Sequence, residues 1–337
     1  MRLVSVKSLK PGTVLGSPIY SSSGRKILGD GVVLTPLYIS RLKEMKIFAV
    51  YVEDEAFKDV EITDPIDYTT RNIATQVLDE VISQASMGEL FDEYKAKDIA
   101  RRILEDVKSA SKDSINLFSS MAMDDYLITH SVTVCILSIL IGDKLKYNFN
   151  QLWDLAVGSI LHDIGRENSR EESPEHVAKG FEILRKCRGL SLMSSIVAFE
   201  HHENFDGSGY PRGLKANNIS EFSRIVSIAD FYDTQLFSSD PDNPVMPHQV
   251  YEEILANSGK RFDPSIVTVF RDTVAIYPNG CMVLLNNNKK GVVVRQNPSM
   301  PHRPVVRLID VDKDDEQQED IDLTVNLTVF VDKLILE

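Results

Sequence analysis

The chain has 337 residues, 43% hydrophobic and 26% charged, with a formal net charge of −13. That length allows two or three domains at the usual ~100–200 residues each, and the composition suits a globular protein with a sizeable core. The negative charge argues against a general grip on DNA, which needs a basic face, but it is compatible with an anionic small ligand held through bound cations.

The first residues, MRLVSVKSLKPG, lack the continuous apolar run of a signal peptide. Residues 1–60 read as a small mixed α/β region. Strand-like pieces at Thr13–Tyr20, Val32–Leu34 and Phe48–Val52 alternate with glycine turns and one short helix near Tyr38–Lys46. Residues 61–66, EITDPI, read as a linker.

From Asp67 to Thr273 the apolar spacing is helical, as in Ile73, Val77, Leu78, Val81 and Ile82, and again in Ile99, Ile103, Leu104 and Val107. Ser173-Pro174 and Asp263-Pro264 each predict an N-cap followed by proline at the first helical position. Gly165 predicts the close of a helix running from Leu152 to Asp163.

From Tyr277 the period changes to that of strands: CMVLL, GVVVRQ, PVVRLIDV and LTVNLTVFV, with the acidic stretch Asp312 to Asp320 as a hairpin loop. The expected fold is mainly α, a helical core over 67–273 flanked by a small N-terminal α+β region (1–60) and a small C-terminal β domain (277–337). Cys135, Cys187 and Cys281 are far apart and form no C-x-x-C pair, which predicts buried thiols and a reducing compartment. The longest apolar-rich run, Ser131 to Gly142, falls short of the ~20 residues of a membrane helix. A soluble, cytoplasmic protein with no membrane span is expected.

Five of the seven histidines lie between residues 130 and 202: His130, His162, His176, His201 and His202. Imidazole and carboxylate are usual ligands for Zn, Mn and Fe, and a hydrolytic two-metal site needs several of them converging. On the helical reading His130 points to the core, His162-Asp163 ends one helix, His176 opens another and His201-His202 ends a third. Asp230, in RIVSIADFYD, falls among residues that should be buried, where a carboxylate is costly without a partner. Singly, each has a plainer explanation: a hydrogen-bonded core histidine, a helix cap, or a pair such as Asp230 with Arg224. Together they favour metal binding.

HHENFDGSGYPRGL, from His201 to Leu214, with LHDIG from Leu161 to Gly165, resembles the HD-GYP family of phosphodiesterases. The similarity extends through HSVTV from His130, HVAKGFEIL from His176, RIVSIAD ending at Asp230, and GKRFDP from Gly259 to Pro264, and so covers roughly 67–273. The flanking regions look like extensions seen with this domain in some bacteria.

The resemblance implies an all-helical HD-type bundle and two or three divalent metals, commonly iron or manganese, with zinc also suited to the ligands. It implies hydrolysis of cyclic di-GMP to linear pGpG, with GMP as the further product. By the same resemblance the metal ligands are His130, His162, Asp163, His176, His201, His202 and Asp230. Asp163 bridges the ions, and a hydroxide shared by the two metals attacks phosphorus. Arg166 is then placed as a catalytic cation that also contacts substrate, or as a solvated surface charge. Tyr210, presented by the DGSGYP turn, is either a substrate contact or part of the site's packed rim.

The sequence departs from the family pattern in four places. Tyr126 stands where members with a third metal carry a glutamate, with Asp124 and Asp125 just before it; this predicts two metals and weighs against conversion all the way to GMP. Arg166 replaces the usual lysine. The connection from Arg166 to Glu175 is short. After Asp230, DFYDTQLFSSDPDN puts Ser239, Asp240 and Asp242 where a basic segment is usual, which weakens the expected grip on cyclic di-GMP. Two further readings stay open: a metal-binding signalling or scaffold module with little activity, and a phosphohydrolase for another nucleotide. A homodimer or a signalling-protein partner is compatible with each.

Overall fold

The structure is a computed structural model that describes residues 1–21, 26–62, 64–110, 126–166, 174–237, 245–298, 300–309 and 319–335. In the N-terminal region, β1 (Arg2–Ser5) pairs antiparallel with β4 (Ala49–Val52), Leu3 opposite Tyr51 and Val4 opposite Val50. Successive side chains on a strand point to opposite faces, and here both faces are buried. Val4, Val50 and Val52 join Leu15, Ile19, Leu34 and Leu42 in a local core, whereas Leu3, Ala49 and Tyr51 belong to the main core.

A second ribbon pairs β2 (Ile19–Tyr20) with β3 (Lys26–Leu28). Helix α1 (Pro36–Glu44) starts two residues before the expected Tyr38, because the Thr35 side chain accepts from the amide of Tyr38 and Pro36 fits the first turn. The expected strands Thr13–Tyr20 and Val32–Leu34 are mostly single bridges, Val14 to Val33 and Leu15 to Val52. Gly16 and Pro18 interrupt the first of these.

The helical region begins where Asp67 caps α2 (Tyr68–Ser86), its carboxylate accepting from the amides of Thr69 and Thr70. There follow α3 (Glu93–Ser109), α4 (Tyr126–Lys144), α5 (Phe149–Ile160), α6 (Glu175–Leu184), α7 (Leu192–Glu200), α8 (Glu221–Phe237), α9 (Pro247–Ala256) and α10 (Pro264–Arg271). Helix α4 is apolar on nearly every side and runs through the bundle against α2, α3, α5 and α8. At 19 residues it is long and apolar enough to cross a membrane by length and composition, more than the sequence reading allowed, yet 72% of its apolar window is buried inside the protein.

Two expected helix ends are corrected. Pro174 is itself the N-cap of α6, with no side-chain cap bond; Ser173 lies outside the described residues. Gly165 does not close α5, which ends at Ile160 with Leu161 as cap. Its role is close approach: a Cβ there would overlap the His176 carbonyl oxygen and the Gly180 amide nitrogen and lie 2.9 Å from the Gly180 Cα. The turn after α5 therefore sits directly on α6. The Asp263-Pro264 start of α10 is as expected, Asp263 accepting from the amide of Ser265.

The C-terminal residues form one antiparallel sheet in the order β8 (Asp320–Asp322), β7 (Val305–Leu308), β6 (Lys290–Arg295), β5 (Met282–Leu285), β9 (Val331–Ile335). Most of LTVNLTVFV is not a strand. Asp322 Oδ1 accepts from the amide of Thr324, and the Asp322 carbonyl from the amides of Val325 and Asn326, winding the segment into turns with Val325 and Leu327 exposed. The acidic hairpin falls between β7 and β8, and residues 310–318 of it lie outside the described residues. The two β regions pack on one another: Phe57 and Val60 share a cluster with Met282 and Val292, and Arg307 pairs with Asp59 at 2.8 Å and with Asp320 at 2.7 Å.

Candidate metal centre

Four elements and one turn bring the sequence-predicted ligands together. His130 projects from the first turns of α4, and Asp230 from the middle of the adjacent α8. His162 and Asp163 lie in the turn after α5, His176 is the second residue of α6, and His201 and His202 close α7. All seven are buried, between 0% and 7% exposed.

They converge as two groups, each able to hold a metal ion: His130, His162 and Asp230, and Asp163, His176, His201 and His202. In the first, His130 Nε2 is 3.3 Å from His162 Nε2 and 3.2 Å from Asp230 Oδ1. In the second, His176 Nε2 is 3.2 Å from His201 Nε2. Asp163 lies between the groups. Its Oδ1 is 3.3 Å from His176 Nε2 and 3.5 Å from His201 Nε2. Its Oδ2 is 3.6 Å from His162 Nε2 and 3.8 Å from His130 Nε2.

Hydrogen bonding outside the groups fixes which ring nitrogens face inward. His162 Nδ1 is 2.7 Å from the Ser159 carbonyl and His201 Nδ1 is 3.1 Å from the Val197 carbonyl. A carbonyl only accepts, so each Nδ1 carries the proton and each Nε2 presents a lone pair to the group. Burial lowers the pKa of both rings, and with neighbouring His202 it takes His201 down to about 3. Burial opposes charge on His130 too, but Asp230 and Asp233 outweigh it and raise that ring to about 10. Burial also works against ionisation of Asp163, yet nearby His162, His176, His201 and Arg166 hold it well below the usual carboxylate range. Converging lone pairs and carboxylate oxygens at a buried point demand positive charge, and a divalent metal fits that donor set.

The HHE-to-GYP segment forms the rim. Glu203 is 2% exposed and accepts from the amides of Arg212 and Leu214, both at 2.8 Å. Glu200 pairs with the Arg212 side chain and accepts from the Ser220 amide at 2.8 Å. Gly209 leaves no room for a Cβ, which would overlap Asn204 and His202 backbone atoms. The folded turn lays the Tyr210 ring on His202, 5.0 Å between centroids at 25°. It is tied to the GKRFDP segment by Phe205 N to Arg261 O at 3.0 Å and Asp206 N to Lys260 O at 2.8 Å.

Arg166 is not a solvated surface charge: it is 7% exposed, with Nη1 2.7 Å from Asp163 Oδ2. Asp230 does not pair with Arg224, which bonds Asp263 instead. Tyr126 does face the site, its hydroxyl 3.3 Å from His130 Nδ1 and donating to Thr234 at 3.1 Å. Asp124, Asp125, residues 167–173, Ser239, Asp240 and Asp242 lie outside the described residues. Sequence reasoning missed Asp233, 1% exposed and 2.7 Å from His130 Nδ1; its i+3 spacing from Asp230 on one helix was the available signal. It also left Glu200 and Glu203 without roles.

Residues 116–266 match the HD domain family, and residues 282–337 match the KOW domain associated with HD domain. Among curated relatives, cyclic di-GMP phosphodiesterase PA4108 of Pseudomonas aeruginosa is 29% identical over 63% of this chain and 55% of its own length. Cyclic di-GMP phosphodiesterase PdeB of Borreliella burgdorferi is 27% identical over 55% and 52%. The 3′3′-cGAMP-specific phosphodiesterase 2 of Vibrio cholerae is 38% identical over 32% of this chain and 22% of its own length. The chain thus spans about half the length of the first two relatives. The chain therefore carries an HD domain, followed by a KOW domain of the kind associated with HD domains.

Proposed function

We propose that this HD-domain protein is a metal-dependent phosphodiesterase that opens cyclic di-GMP to linear pGpG. One observation carries the reading: two ligand groups converge on opposite oxygens of a single carboxylate, Asp163. His130, His162 and Asp230 would hold one ion, His176, His201 and His202 the other, with Asp163 shared. Iron or manganese is the expected metal, and zinc suits the same donors. When bound, two divalent ions offset the phosphodiester charge and lower the pKa of an attacking water toward neutrality.

The chain's own residues do the positioning. The Ser159 and Val197 carbonyls hold His162 and His201 in the tautomer that presents Nε2. Arg166 fixes Asp163 through Oδ2, so we assign it to orienting that carboxylate. Tyr210, stacked on His202, offers a ring at the rim for the nucleotide, with Lys260 and Arg261 brought beside the turn. Tyr126 occupies the corner where a third acid would be needed, which favours two ions and a product that stops at pGpG. Relatives that act on cyclic di-GMP and on 3′3′-cGAMP support the cyclic dinucleotide class. Three buried free thiols fit a cytoplasmic enzyme.

Metal-reconstituted protein incubated with cyclic di-GMP, 3′3′-cGAMP and a mononucleotide phosphodiester should cleave cyclic di-GMP fastest, and Asp163→Ala should abolish that turnover. Cyclic di-GMP at the bottom of the ranking, or left intact by protein with both ions bound, overturns the proposal.

A further inference from the structure

We propose that Asp233 is a positioning residue that tightens metal binding at the His130 group. The inference rests on the two-metal reading above but concerns one of its two positions. One turn of α8 supplies Asp230, Asp233 and Thr234, whose i, i+3, i+4 spacing puts them on one face. Asp230 Oδ1 faces His130 Nε2 at 3.2 Å, and Thr234 donates to that same oxygen at 3.2 Å. Asp233 Oδ2 is 2.7 Å from His130 Nδ1, with both residues buried.

Burial pushes the Asp233 carboxyl up and its hydrogen bond with His130 draws it back; with that carboxylate ionised, His130 donates Nδ1–H and turns the Nε2 lone pair inward. Such a carboxylate behind a ligating imidazole raises its basicity and locks its tautomer. His162 and His201 meet neutral carbonyls at the corresponding nitrogen.

The test is a Mn²⁺ titration of the full chain, with free ion followed by electron paramagnetic resonance and no substrate present. Wild type should show two affinities. Asp233→Asn should weaken one by about 10–100-fold and leave the other nearly unchanged. In a His176→Ala background, where the His130 position remains, adding Asp233→Asn should still weaken binding; in a His162→Ala background it should not. Unchanged affinities in Asp233→Asn, or weakening that persists in His162→Ala, overturn the proposal.

If the variants fail to fold, ¹⁵N correlation spectra of Zn²⁺-loaded wild type decide it. His130 should carry its proton on Nδ1, and a proton on Nε2 contradicts the assignment. Wild type binding fewer than two ions would remove the two-metal reading and this inference together. Two bound ions with intact cyclic di-GMP would remove only the substrate assignment.

Discussion

Gly165→Ala tests whether the packing of one turn sets the geometry of half the centre. The added methyl would overlap the His176 carbonyl oxygen and the Gly180 amide nitrogen, whereas real Cβ contacts stay above 3.0 Å. These are helix backbone atoms, so no side chain can swing aside. Helix α6 must retreat by roughly 1 Å, and overpacking of that kind costs about 1–3 kcal/mol. His176 rides on the displaced segment, and its Nε2 would draw away from Asp163 Oδ1, now at 3.3 Å, and from His201 Nε2, now at 3.2 Å. A misplacement of about 1 Å at a catalytic group lowers rate by about 100-fold. The expected variant unfolds at lower urea, binds its second metal equivalent weakly and retains the first in the His130 group. Urea titration with metal counting by mass spectrometry reads both effects. A variant as stable as wild type with two tight ions would refute the close-packing account.

Three further outcomes follow from the same geometry. Glu203→Gln removes the charge that accepts from the amides of Arg212 and Leu214 at 2.8 Å. It should loosen the GYP turn, raise KM with little change in kcat and cost about 1–3 kcal/mol; an unchanged KM would separate the turn from substrate binding. Arg166→Gln leaves Asp163 Oδ2 without its cation and should lower turnover by roughly 10–100-fold; full activity would leave Arg166 without a role. With metal chelated, stability should peak near pH 6.5, the ordinary histidine value. His201, held down near 3, contributes fully above that value and loses its contribution as pH falls toward 3; His130, held up near 10, contributes fully below it and loses its contribution as pH rises toward 10. Thermal midpoints across pH, with and without Mn²⁺, check this, and a one-sided profile in the chelated protein would contradict it.

The ligand groups were legible in the sequence because metal chemistry restricts residue type and the helical period restricts direction. His130 in an apolar helix and Asp230 in an apolar stretch could only point inward. The helical extent was likewise marked by the change of apolar period at Asp67 and again at Tyr277, and the start of α10 by Asp263-Pro264. What escaped was set by contacts across the chain. Gly165 reads as a helix terminator until α6 is seen pressed against it. Arg166 gains its meaning from burial on Asp163, and Glu203 from two backbone amides nine and eleven residues ahead. LTVNLTVFV has the composition of a strand, but the Asp322 and Asn326 bonds fold it into turns and leave the pairing to the residues on either side.

The most direct test is turnover of cyclic di-GMP measured against equivalents of Mn²⁺ added to the chelated protein. If two ions share Asp163 and act together, activity stays low through the first equivalent, rises with the second, levels off at two and yields pGpG. Full turnover at one equivalent, or none with two ions bound, would contradict the account.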